Sequence, residues 1–205
     1  MTVQPAAPTR LTDRKRAAIL EAAVAEFRQS GYETTSMDRI AAQAGVSKRT
    51  VYNHFPSKEA LFAQILERLW ASSLEGQDLA YRADRPLRPQ LLELVTQKLR
   101  LLRDPNFVDL ARVAIAAAIH SPERAQDMVA RMGEREEGIT TWIRAAAADG
   151  RLKTSDPLFA SMQLQSLVKG FAFWPQITLA QPPLSDAQQV LVGEQAVDMF
   201  LALYG

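Results

Sequence analysis

The chain has 205 residues, enough to bury a sizeable core in one or two small domains without staples. Its 47 % apolar and 23 % charged residues are ordinary for a globular protein, and the absence of cysteine excludes disulfide frameworks and thiolate chemistry. The net charge of +1 is unevenly divided: residues 1–58 hold nine Lys/Arg against five Asp/Glu, and the rest hold fifteen against eighteen. A basic N-terminal segment on a mildly acidic body suits a polyanionic partner for that segment.

The pattern is helical nearly throughout, with no run of period-two alternation, so the fold class expected is all-α with about nine helices. Residues 1–11 read as a disordered arm. Residues 12–56 read as a three-helix unit, and 57–205 as a larger helical body joined to it by helix four. Helix one is expected over Asp13–Ser30, with Thr12 as N-cap and Gly31 as a left-handed stop. Helix two is expected over Met37–Ala44, capped by Thr35 or Ser36, with Met37, Ile40, Ala41 and Ala44 on one face. Gly45 allows a sharp turn. Helix three follows Ser47 and ends before Pro56, and Val46 and Val51 stand at the spacing of a hydrophobic staple. Ser57 caps helix four, whose stripe is Leu61, Phe62, Ile65, Leu66, Leu69 and Trp70. Residues 76–89 read as a loop. Helices are then expected at about 90–103, 105–120, 122–149, 156–174 and 185–204, with Pro105, Pro122 and Pro157 near helix starts.

Short helices with a glycine-containing turn between the second and third describe a helix-turn-helix. Val51 and Phe55 give helix three its inner face. Lys48, Arg49, Thr50, Tyr52, Asn53 and His54 are left outside, with donors and acceptors for phosphates and base edges. Ser47 opens the helix, where amides favour a phosphate. On pattern alone the same face reads equally as the solvated side of a small bundle. Arg10, Arg14, Lys15 and Arg16 read either as a solvated basic surface or as an arm for the minor groove.

The segment Thr34–Phe62, TTSMDRIAAQAGVSKRTVYNHFPSKEALF, closely resembles the DNA-binding domain of the TetR/AcrR family. The resemblance rests on Gly31-Tyr32 after helix one, on I-A-x-x-A-G-V-S from Ile40 to Ser47, on Tyr-x-His-Phe from Tyr52 to Phe55, and on S-K-E-x-L-F from Ser57 to Phe62. It implies phosphate contacts from Tyr52, His54 and Lys58 and base readout by Lys48, Arg49 and Thr50. Asn53, Ser47, Thr35 and Ser36 complete the expected DNA-binding set. Arg49 stands where many relatives have glycine or a small residue, a difference that bears on which operator is read. Losing Lys58 is expected to lower the salt slope of binding by about one.

In the body, Phe107, Met128, Met132, Trp142, Met162, Phe173 and Trp174, with Gln165 and Lys169 as polar partners, read either as an effector pocket or as plain core. His120 reads as a helix C-cap. The last helix is apolar around more than half its circumference, so it is either buried within one chain or shared with a second copy through Val190, Val197, Phe200, Leu201 and Tyr204. Phe173-Trp174-Pro175 after Leu-x-Lys-Gly-Phe resembles the C-terminal domains of the AefR-like branch. The resemblance implies a homodimeric bacterial repressor that is released from a palindromic, double-stranded operator by a small, largely apolar effector, with no cofactor.

An enzyme is not expected. His54 and His120 are the only histidines, and no nucleophile elbow, P-loop or H-E-x-x-H is present. Glu134, Glu136 and Glu137 with Arg131 and Arg135 read as an ion-paired helix face. The longest apolar run, Val113–Ile119, is too short to span a bilayer, and the first ten residues lack a secretory h-region, which points to the cytoplasm and to no membrane partner. The alternative reading is a helical interaction or ligand-binding module with a degenerate DNA reader.

Overall fold

The computed structural model describes residues 11–74, 79–133 and 138–205, with the backbone alone at 73, 74, 129 and 131–133. The arm with Arg10, the Met132 and Arg131 side chains, and residues 134–137 lie outside the described set. Among the described residues there are eleven helices and no strand. The helices are α1 (Leu11–Ser30), α2 (Met37–Gln43), α3 (Lys48–His54), α4 (Lys58–Leu74), α5 (Leu87–Arg103), α6 (Pro105–Ile119), α7 (Pro122–Gly133), α8 (Gly138–Ala148), α9 (Pro157–Ala172), α10 (Trp174–Thr178) and α11 (Asp186–Tyr204).

The first three helices form one small core around Ile19, Ala23, Phe27, Ile40, Val51 and Phe55, all buried. Thr12 lies inside α1, which already runs from Leu11, so it is not the N-cap expected from the sequence. Gly31 stops α1 at φ +80°, its N–H bonded to the Phe27 carbonyl at 2.9 Å. Gly45 closes α2 at φ +65°. Its N–H reaches Ala42 O at 3.2 Å and that of Val46 reaches Ala41 O at 3.1 Å, a Schellman pair that turns the chain from α2 into α3.

The rest of the chain is a helical body. Asp104 caps α6 through Asn106 N–H (2.7 Å), and Ser185 caps α11 in a full capping box with Gln188. His120 stands at the C-cap of α6. The expected helix over 156–174 breaks after Ala172, where α10 begins as a separate short turn. Helices α5 and α11 pack closely at Gly193, where a Cβ would lie 3.3 Å from Leu99 Cδ1. Helices α1 and α4 lie against α6, so the small domain meets the body there. No helix of the described residues is long and apolar enough to cross a membrane.

Candidate nucleic-acid interface

Helix α3 has seven residues, too few to persist alone, and it is held by a buried Val51 and by its ends. Ser47 Oγ accepts Thr50 N–H at 3.1 Å and shares a 2.8 Å hydrogen bond with Thr50 Oγ1, so both hydroxyls fix the first turn. Lys48, Arg49, Tyr52 and Asn53 are exposed around the helix, and His54 is partly buried with its ring 6.4 Å from that of Phe55. Lys48 is tied to Asp38 of α2 at 2.8 Å, and this hydrogen-bonded carboxylate pushes the ammonium pKa upward. Arg49 has no ion-pair partner among the described residues. Tyr52, 43 % exposed, holds an aromatic ring out into solvent.

Two expected contacts turn inward instead. Thr35 is buried, its hydroxyl 2.8 Å from Gly31 O and 3.2 Å from Glu26 O, so it ties the α1–α2 turn and has no proton to offer DNA. Lys58 Nζ donates to the carbonyls of Tyr32 (2.7 Å), Glu33 (3.1 Å) and Thr35 (3.1 Å) and lies 4.4 Å from the Tyr32 ring centre. Its three protons are thus engaged by the turn, which the ammonium clamps. Ser36 is the N-cap of α2, accepting Arg39 N–H at 3.3 Å. Glu26, buried on the face that carries Ala23 and Phe27, meets Arg39 at 2.9 Å and fixes α2 on α1. The sequence reading passed over this pair. A carboxylate at the apolar face position next to Phe27 is the signal that could have found it.

At the same turn, Tyr32 donates its hydroxyl to Glu59 at 3.2 Å, and its ring packs between Phe27 (5.2 Å) and Phe62 (5.1 Å). Burial, followed by the Glu59 charge, pushes the phenol up to about 12. At the basic end of α1, Arg16 lies 5.0 Å over the Phe55 ring and bonds Gln64 at 2.5 Å.

In the body the expected effector residues do not gather. Phe107, Phe173 and Trp174 adjoin one another, with ring centres 6.3 and 5.1 Å apart. Trp142, fully buried, sits instead against Tyr81 (5.6 Å), its indole N–H 3.4 Å from Gln90 Oε1. Gln90 opens α5, whereas Gln176 beside Phe173 bonds Leu102 O near its end. The two clusters therefore lie roughly 18 Å apart along that helix. Gln165 donates to Ser161 (3.2 Å), which shares a buried hydrogen bond with Thr140 (2.7 Å). Met128 packs partly buried against the core, as the chain's interior filling. Lys169 is partly buried on α9.

Met162 is 58 % exposed and belongs to a different surface. With Phe159, Phe171, Met199 and Leu203 it lines an open groove of about 630 Å³ between α9 and α11. Leu158, Val190 and Leu191 are also exposed on these two helices. Val197 and Phe200, expected at a partner's surface, are buried in their own chain, and Leu201 and Tyr204 are partly buried. The exposed large apolar residues of α11 are therefore Val190, which borders α5, Leu191, and Met199 and Leu203, which border α9. Among the described residues no cluster of three His, Asp or Glu is poised for a metal.

Residues 19–65 match the family described as bacterial regulatory proteins, tetR family, and residues 89–205 match the C-terminal domain of AefR-like transcriptional repressors. The chain is 30 % identical over 176 residues to the HTH-type transcriptional regulator RutR of Escherichia coli K12, covering 82 % of this chain and 79 % of that one. The crystal structure of a TetR family transcriptional regulator from Pseudomonas syringae pv. tomato superposes with a TM-score of 0.85 at 55 % identity, over 95 % of this chain and 98 % of that one. The flavonoid-responsive regulator FrrA superposes with a TM-score of 0.67 at 26 % identity, over 92 % of this chain and 96 % of that one.

Proposed function

The chain belongs to the tetR family of bacterial regulatory proteins and is a helix-turn-helix transcriptional regulator, and from that premise we propose how it reads DNA and how it lets go. Two copies pair through the apolar face of α9 and α11 in the cytoplasm. They seat their α3 helices in major grooves about 34 Å apart, or a multiple of a turn, on a palindromic operator. Arg49, with Thr50 and Asn53 beside it, reads base edges, while Tyr52, His54, Ser36 and the amide end at Ser47 meet phosphates. Lys48 exchanges Asp38 for DNA. The observation that carries this reading is the outer face of α3, where Arg49, Tyr52 and Asn53 stand exposed on a helix that is fixed from behind by Val51.

Release follows from a small, largely apolar effector that prefers one conformation of the body. FrrA, described as flavonoid-responsive, supports a ligand of that kind. Such a ligand shifts the equilibrium only by its differential affinity for the two states, typically about 1–3 kcal/mol. The test is selection of bound sites from random duplex DNA by the purified protein at about 150 mM salt, where non-specific binding is suppressed. Recovery of one palindrome, lost on Tyr52→Ala, is the expected result. Recovery of unrelated sequences bound equally by wild type and variant would reject the reading.

A further inference from the structure

Besides the packing of α1 and α4 on α6, polar side chains of α6 and α7 grip α1 and the turn that follows it. Arg28 of α1 pairs with Asp109 of α6, which also holds Arg112 at 3.4 Å. The second place is the turn between α1 and α2. There the Arg124 guanidinium of α7 lies 4.0 Å over the Tyr32 ring, and its Nη1 donates to Glu33 Oε1 at 2.6 Å. Arg124 stands in the first turn of α7, its backbone N–H on Ser121 Oγ at 3.3 Å, so a capped helix end delivers it. The ring it covers is itself immobilised by Phe27 and Phe62, by Glu59 at the hydroxyl and by Lys58 on the same turn.

We infer that Arg124, in the body, is a positioning residue for DNA reading, which sets the angle of the helix-turn-helix through Tyr32 and Glu33. The turn it grips leads directly into α2, and α2 leads through Gly45 into α3. Apolar packing on α6 is non-directional and permits rolling of the small domain. A stacked and ion-paired guanidinium is directional, and its planar fork suits one orientation. A dimer on a palindrome needs both recognition helices at one fixed spacing, so freedom at this joint weakens the second half-site contact and leaves the first unaltered. The inference rests on the palindromic reading proposed above.

The experiment compares the duplex selected from random DNA with the same duplex scrambled in one half, for wild type, Arg124→Ala, Arg124→Lys and Glu33→Gln. Thermal unfolding confirms that each variant folds. Arg124→Ala is expected to lower affinity for the palindrome about tenfold while leaving the half-site unchanged, since stacked cations contribute in each of two protomers. Arg124→Lys keeps a cation on the ring and recovers part of the loss. Glu33→Gln, at an exposed carboxylate that does not risk the fold, gives a smaller loss of the same kind. Equal losses on both duplexes would mark a merely structural role and overturn the inference, as would an unchanged or raised preference for the palindrome. A wild type that does not distinguish the two duplexes rejects the palindromic reading itself, a pattern distinct from the others.

Discussion

Of the seven residues of α3 only Val51 is buried, whereas seven of the seventeen in α5 are, Gln90 and Lys98 among them. The small domain holds α3 by a single buried residue of that helix and two caps, and none of the polar side chains of α3 is buried. The body turns some polar groups inward and satisfies them partly with nearby turn carbonyls and partly with distant partners. Gln90 bonds the carbonyls of Arg82, Arg85 and Pro86 and meets Trp142, and Gln176 bonds Leu102 O (2.8 Å) and Ala172 O (2.5 Å). On the outer face of α3, Lys48 holds the exposed Asp38 and Arg49 has no ion-pair partner among the described residues. The packing of the body is specified by buried polar pairs that a slipped arrangement would leave unmatched.

The largest test of this contrast is Trp142→Ala. It is expected to cost about 3–5 kcal/mol of stability in urea unfolding, with the selected DNA sequence unchanged. Lys58→Met sharpens the contrast inside the small domain. It leaves three turn carbonyls without their donor, for a loss of about 1–3 kcal/mol, and should leave the salt slope of DNA binding unaltered. A slope lower by about one would return Lys58 to the phosphates. Arg49→Ala should do the reverse, with no change in unfolding and about 1–3 kcal/mol less discrimination at one base position in competition binding. Asp38→Asn frees Lys48 from an exposed, solvent-screened pair and should strengthen binding to random DNA only slightly in salt-titrated binding. The weakest effect at neutral pH belongs to Tyr32. Its phenol is raised to about 12 in the folded chain, so its contribution is fully present below its ordinary value near 10. That contribution is lost as the pH rises through about 12, and absorbance titration should show a tyrosinate step near that pH in the wild type that Tyr32→Phe removes.

The helix-turn-helix was legible because its determinants are local. Ser47 bonds three residues ahead, Gly45 closes a turn on Ala42, and the motif from Ile40 to Phe62 is contiguous. The clamp at Lys58 was not legible, since its acceptors lie at Tyr32, Glu33 and Thr35 and depend on how α4 folds back. The inward turn of the Thr35 hydroxyl was not legible for the same reason. In α11, a helix apolar on most sides offers no sign of which side meets its own core, so Val197 and Phe200 could not be told from Met199 and Leu203 without α5 and α9 in place. Aromatic residues that share a composition need not share a site. Trp142 and Phe107 were grouped by chemistry, and the length of α5 separates them.

The burial of Trp142 has a practical side. The chain carries three tryptophans, and they stand in three different surroundings: Trp70 is 6 % exposed on α4, Trp142 is 1 % exposed in the body, and Trp174 is 46 % exposed at the start of α10. A dissolved quencher reaches the third far more readily than the other two. The molecule thus comes with its own lamps, one on the helix that joins reader to body, one in the interior and one at the surface beside Phe173. Replacing two of the three at a time by phenylalanine would leave each of them to report alone.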